Sequence, residues 1–141
     1  MKPEPLIEDL TRFYWEGARE GELLVQRCDD CAYLQHPPDV ACANCLSLAL
    51  TPVPVSGRAT LYSFVIAQRA FSPAFADEVP YVVALVELAE RPGLRVLTSV
   101  VDAEHADLTI GMELELTFED RGEWRVPQFR PASAATAAVT S

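Results

Sequence analysis

The chain has 141 residues, half of them hydrophobic, a size and composition that admit one compact unit or two small ones and exclude a disordered chain. Its formal net charge is −10, and the 11 basic residues are scattered singly, which argues against a polyphosphate ligand such as nucleic acid. No apolar run approaches the roughly 20 residues of a membrane span, and the opening Met-Lys-Pro-Glu-Pro lacks the basic-then-apolar layout of a secretion signal, so a cytoplasmic location is expected.

From Leu6 to about Glu20 the spacing predicts a helix. Asp9 serves as its cap, Leu6, Leu10, Phe13 and Tyr14 share one face, and Gly17 and Gly21 mark its end. Trp15 falls off that stripe. Phe13-Tyr14-Trp15 therefore reads either as part of the chain's own core or as a docking element, since aromatic clusters are enriched at interface hot spots.

Residues 23–55 read as a small metal-dependent ribbon. Leu23-Leu24-Val25-Gln26-Arg27 forms a strand into Cys28, and Tyr33-Leu34-Gln35 forms the return strand, which Pro37-Pro38 ends. Cys28-Asp29-Asp30-Cys31 and Cys42-Ala43-Asn44-Cys45 are two C-x-x-C pairs at ribbon spacing. Each pair sets two thiolates on a tight turn, and the two turns together complete a tetrahedron. Structural zinc is the expected occupant, with iron in the same site and disulfides as the alternatives. Ala32 and Leu46 stand where such turns favour glycine. Four thiolates close the coordination sphere, so no position is left for a catalytic water.

From Ser56 the texture changes to strands. Arg58 to Ile66 places Leu61 and Val65 on one face and Tyr62, Phe64 and Ile66 on the other. Tyr81 to Leu88 reads as a strand buried on both sides, and Leu94 to Val101 follows after a turn. Met112 to Glu119 alternates, with Met112, Leu114, Leu116 and Phe118 inward and Glu113, Glu115, Thr117 and Glu119 outward, and Glu123 to Phe129 closes the set. Five strands with a longer connection over Asp102–Gly111 predict an OB-type barrel over residues 56–131. The fold class is mainly β: an N-terminal helical segment (1–22), a rubredoxin-like ribbon (23–55), a five-stranded OB barrel and a flexible tail (132–141).

Catalytic candidates are few. His36 and His105 read as structural or solvated residues, and the three glutamates read as the wet face of a strand. No nucleophile, base and oxyanion site assemble. The loop after the first barrel strand carries Arg69, Phe71 and Phe75 and leads into Tyr81. It forms a stiff apolar rim at a customary ligand-binding edge of OB folds, and these four residues are candidate acyl-CoA or partner contacts.

The order of these features resembles one family. Phe-Tyr-Trp-Glu-Gly, Leu-Leu-Val-Gln-Arg-Cys, the two cysteine turns, Val-Ser-Gly-Arg-Ala-Thr-Leu-Tyr-Ser-Phe, Phe-Ser-Pro-Ala-Phe and Val-Pro-Tyr-Val-Val-Ala-Leu-Val-Glu-Leu are similar to the acyl-CoA-associated OB-fold and rubredoxin-like zinc-ribbon proteins, from about Phe13 to Pro131. The resemblance implies a non-catalytic accessory subunit of a thiolase-superfamily partner, a thiolase or lipid-transfer-type aldolase, in C–C bond formation or cleavage of CoA thioesters. By position it makes Cys28, Cys31, Cys42 and Cys45 the metal ligands. CoA carries phosphates, so an acidic chain would share the thioester with a partner that supplies the cations. A single-stranded nucleic-acid module is the first alternative, because OB folds and ribbons often serve that purpose. Some relatives are fused to MaoC-type hydratases, so a subunit of a MaoC-type enoyl-CoA hydratase is a third reading. A stand-alone acyl-CoA hydrolase is a fourth, for which the chain offers no nucleophile or base.

Overall fold

β-branched and aromatic runs separated by glycine turns dictate a chain dominated by strands, and the computed structural model, which describes residues 4–68 and 80–132, has that form. One helix, α1 (Arg12–Arg19), precedes a small three-stranded sheet of β1 (Leu24–Cys28), β2 (Leu34–Gln35) and β3 (Leu50–Pro54), in the order β2-β1-β3. A five-stranded antiparallel sheet follows, built from β4 (Arg58–Ala67), β5 (Tyr81–Leu88), β6 (Arg95–Thr98), β7 (Glu113–Arg121) and β8 (Trp124–Pro131). Its order is β6-β5-β4-β7-β8.

That sheet curls until its edges meet. Past the end of β6, the Phe129 N–H donates to the Ser99 carbonyl at 3.0 Å, and the Val101 N–H donates to the Phe129 carbonyl at 2.8 Å. The parallel bridge Val100–Phe129 thus closes the OB-type barrel expected from five strands and a long third connection. Its interior is filled by Leu61, Val82, Val86, Leu88, Val96, Leu114 and Phe129, all buried.

The helix is shorter than the sequence suggested. It begins at Arg12 with Thr11 as N-cap, so Asp9 does not cap it; instead Asp9 pairs with Arg12 at 3.6 Å. The expected apolar stripe fails at its start, since Leu6 is 79% exposed and Leu10 39% exposed, with no surface to bury against. Gly17 lies inside the helix rather than at its end. Gly21 (φ 85°) does end it, through Gly21 N–H to Ala18 O at 3.0 Å and Glu22 N–H to Gly17 O at 2.8 Å. The helix packs on β1 and β8, and the Arg19 guanidinium lies 3.8 Å from the centre of the Trp124 ring.

Three strand expectations need correction. In β4 the pairing with β5 slips between Leu61 and Ser63, so Tyr62 is an extra, bulged residue. The bulge reverses the parity. Leu61 is buried, Phe64 and Ile66 follow it inward as half-buried residues, and Val65 points out with 63% exposure. Strand β5 is not buried on both sides, because Val82, Ala84, Val86 and Leu88 are buried while Tyr81, Val83, Leu85 and Glu87 are half-buried. On β7 only Leu114 is fully buried, and Glu115 and Glu119 are half-buried rather than wet. Glu115 accepts from Arg130 Nε at 3.1 Å, and Glu119 from Arg121 Nε at 2.8 Å.

Ribbon and barrel share an interface. Arg91, on the β5–β6 turn, donates from Nε and Nη2 to the Leu34 carbonyl at 3.0 and 2.7 Å and stacks on the Tyr33 ring at 4.3 Å. Glu90 accepts the Ser56 N–H at 2.8 Å.

Candidate metal centre and the barrel-end cleft

Each C-x-x-C segment closes on itself by the same set of bonds. The Cys28 N–H donates to Tyr33 O at 2.9 Å and the Ala32 N–H to Cys28 O at 2.8 Å. In the second turn the Cys42 N–H donates to Ser47 O at 2.8 Å and the Leu46 N–H to Cys42 O at 2.9 Å. Ala32 and Leu46 both have φ 66°, the left-handed conformation that glycine would adopt freely. The two turns are therefore equivalent despite lacking glycine.

They face each other. Cys28 Sγ lies 3.5 Å from Cys45 Sγ, Cys31 Sγ lies 3.6 Å from Cys42 Sγ, and all four sulfurs fall within 4.8 Å of one another. A tetrahedral ion with bonds of about 2.3 Å sets sulfurs about 3.8 Å apart, so the donor set fits one such ion. Cys28 and Cys42 are buried, and Cys31 and Cys45 face solvent. Backbone N–H groups of Cys31 and Asn44 point at Cys28 Sγ and Cys42 Sγ at 3.4 and 3.3 Å, the usual support for thiolate ligands.

Charge at the site favours a cation over four bare thiolates. The Asn44 amide, 3.5 Å from Cys31 Sγ, helps hold that thiol down at about 6. Cys45 is lowered by the Ser47 N–H but pushed up to about 12 overall, first by the neighbouring Cys28 sulfur, then by desolvation and by the sulfurs of Cys31 and Cys42. Four thiolates this close cannot all ionise without a positive ion among them.

The first turn's two acids are also accounted for: Asp29 accepts the Thr51 hydroxyl at 2.8 Å, and Asp30 accepts the Ser47 hydroxyl at 2.5 Å. Sequence reasoning passed over a pair of glutamines. Gln26 and Gln35, opposite each other on β1 and β2, are both 6% exposed, and their amides grip the chain between the cysteine turns. A polar residue at a buried strand position was the signal that could have found them.

The other candidates divide. Tyr14 is buried in the core, its ring 4.9 Å from that of Trp15 and 5.2 Å from that of His36; Phe13 and Trp15 are half-buried against the same core. Burial pushes the Tyr14 hydroxyl up, and it lowers His36 to about 4, where Nδ1 is buried without a partner. Arg69, Phe71 and Phe75 lie outside the described residues.

Tyr81 lines a cleft of about 390 Å³ at one end of the barrel, together with Ser99, His105, Glu119, Arg121 and Gln128. The structure thus brings Tyr81 and His105 into one place, although 24 positions separate them in the sequence. Buried Gln128 donates to Glu119 at 3.3 Å there. On the outer face of β4, β5 and β6, Val65 is 63%, Leu97 71% and Tyr62 46% exposed, with half-buried Val83 and Leu85 between them.

Comparison with known proteins covers both halves of this architecture. A model of the ChsH2 rubredoxin-like zinc ribbon domain matches residues 15–51, and one of the ChsH2 C-terminal OB-fold domain matches residues 52–119. A "Probable enoyl-CoA hydratase alpha subunit" of Thermomonospora curvata is 39% identical over 94% of this chain and 40% of its own length. The chain therefore spans about two fifths of that relative. A DUF35 domain-containing scaffold protein of Methanothermobacter thermautotrophicus is 32% identical over 80% of this chain and 84% of its own length. Among solved structures, the "Ltp2-ChsH2(DUF35) aldolase" superposes with a TM-score of 0.83 at 38% identity, covering 92% of this chain and 100% of the matched one.

Proposed function

The chain belongs to the ChsH2-type family of rubredoxin-like zinc ribbons joined to OB folds, and we propose that it is the non-catalytic accessory subunit of a complex that processes CoA thioesters. Its partner is a lipid-transfer-type aldolase of the thiolase superfamily, and the chemistry on that partner is formation or cleavage of a C–C bond. The observation that carries this reading is the likeness to the DUF35 chain of an Ltp2-ChsH2 aldolase, which spans that chain end to end. The exposed side chains Tyr62, Val65 and Leu97 support it, since apolar area left on a sheet face favours association with another subunit.

In this reading the ribbon carries zinc. Cys28, Cys31, Cys42 and Cys45 hold it, and a closed four-sulfur shell makes it a structural ion whose binding energy is also folding energy. Elemental analysis of the protein as purified should find one zinc per chain, and no zinc or iron above trace levels would end this assignment. Phe13, Trp15, Arg69, Phe71, Phe75 and Tyr81 are assigned to contacts with the partner or the thioester. The thioester is shared, with the partner supplying cations for the CoA phosphates, because this chain is acidic.

A second reading has a specific observation behind it: the likeness to a hydratase alpha subunit, in which a region like this chain is one part of a longer protein. In that case the partner is an enoyl-CoA hydratase. Co-expression with each candidate enzyme separates the two. Co-elution with a lipid-transfer-type aldolase and not with a hydratase is expected, and the reverse pattern would replace the first reading by the second.

A further inference from the structure

The metal ribbon contains a device that its cysteines do not reveal. Gln26 on β1 and Gln35 on β2 are register partners, both 6% exposed, and every polar atom of their amides is engaged. Gln26 Oε1 accepts the Asp39 N–H at 2.9 Å and Gln35 Nε2 at 2.9 Å, while Gln26 Nε2 donates to the Asp39 carbonyl at 3.0 Å. Gln35 Nε2 also donates to Ala41 O at 3.2 Å, and Gln35 Oε1 accepts the Ala43 N–H at 2.8 Å. Ala41 and Ala43 are the two neighbours of Cys42.

One side chain therefore clamps the backbone on both sides of a ligand. The other ties that clamp to the strand that ends in Cys28. Nothing in these bonds passes through the metal or the sulfurs, so they can form before an ion arrives. Burying two amides this completely is costly unless each is satisfied, and here the satisfaction is complete. We propose that Gln26 and Gln35 are positioning residues of the metal centre: they preset the Cys42 turn against the Cys28 strand in the apo chain and so set the affinity for the ion. This inference rests on the metal reading given above.

Two measurements test it. In the first, zinc is titrated between the full chain and a chromophoric chelator. Gln35→Met keeps length and apolar volume but removes both clamps, and it should weaken zinc binding by about 10–100-fold, the range for outer partners of metal ligands. Gln26→Met, which frees Asp39 and one side of Gln35, should weaken it less. Arg91→Met is the comparison, because Arg91 anchors the ribbon to the barrel and its guanidinium donates to the Leu34 and Pro92 carbonyls rather than to the chain from Asp39 to Ala43. It should lower thermal stability with zinc affinity kept. Equal affinities for wild type and Gln35→Met, or an equal loss in Arg91→Met, would overturn the proposal.

The second measurement needs no variant. Amide hydrogen exchange on the wild-type apo chain should show Asp39 and Ala43 N–H protected, because side-chain carbonyls hold them without metal. Exchange at unstructured rates at both positions would also overturn the proposal. A wild-type chain that takes up neither zinc nor cobalt would instead overturn the metal reading itself, and this inference with it.

Discussion

Ala32 and Leu46 hold a backbone conformation that side chains resist, and they hold it identically, at φ 66°, at the close of the two cysteine turns. The strain, of order 1–2 kcal/mol per residue, is tolerated because each turn also gains a backbone bond to its cysteine carbonyl. The cluster of four cysteines was legible from spacing alone, since thiol pairs with two residues between them are the simplest way to build half a tetrahedral donor set. The glutamine clamp was not, because its meaning depends on which residues β1 and β2 bring into register. His36 behaves similarly: its half-buried ring packs against Tyr14, and desolvation lowers it to about 4. The unfolded chain takes up that proton near pH 6.5 and the folded chain only near pH 4. His36 therefore favours folding fully above about pH 6.5, and this contribution is lost as pH falls towards 4, by up to about 3 kcal/mol. Denaturant titrations at pH 7 and 4.5 should show the wild type losing more stability than His36→Phe. Cysteine protonation and metal loss act on both proteins, so equal losses would remove His36 as a pH-sensitive group.

At the level of elements, the barrel strands were readable because β-branched runs bounded by glycine turns leave few alternatives. Strand β3 was hidden. Leu50–Pro54 contains Pro52 and Pro54, which cannot donate to a ladder, yet it pairs with β1 at five positions as the sheet's edge. The parity of β4 was hidden for another reason, since a bulge at Tyr62 leaves no mark in composition and reverses every side chain beyond it. The helix was overextended because Leu6 and Leu10 continue the apolar period without a surface to meet. Where α1 does meet β1, the fit is close: a Cβ on Gly17 would lie 2.6 Å from Leu24 Cδ1 and 2.7 Å from Leu24 Cγ. Gly17→Ala gains about 0.5–1 kcal/mol of helix propensity but must displace Leu24, at about 1–3 kcal/mol. A net loss of about 1 kcal/mol in chemical denaturation is expected. A variant as stable as wild type would show that the helix can shift away from β1.

The whole molecule combines an OB barrel and a ribbon, two modules that elsewhere serve nucleic acids, with a net charge of −10. Arg91 and Arg95 lie over tyrosine rings and Arg19 over a tryptophan, so these cations are already engaged within the chain. Single-stranded DNA or RNA should not bind measurably at physiological salt. Submicromolar binding that weakens steeply with added salt would revive that reading. The proposed partner comes only from resemblance, because composition and spacing point to a fold and a metal-binding cluster but not to a neighbour. That leaves the accessory role as the central claim. Its most direct test is to assay the isolated chain, the isolated lipid-transfer-type aldolase and their mixture for turnover of CoA thioesters. The account predicts none from this chain alone and full activity only in the mixture, whereas robust turnover by this chain alone would contradict it.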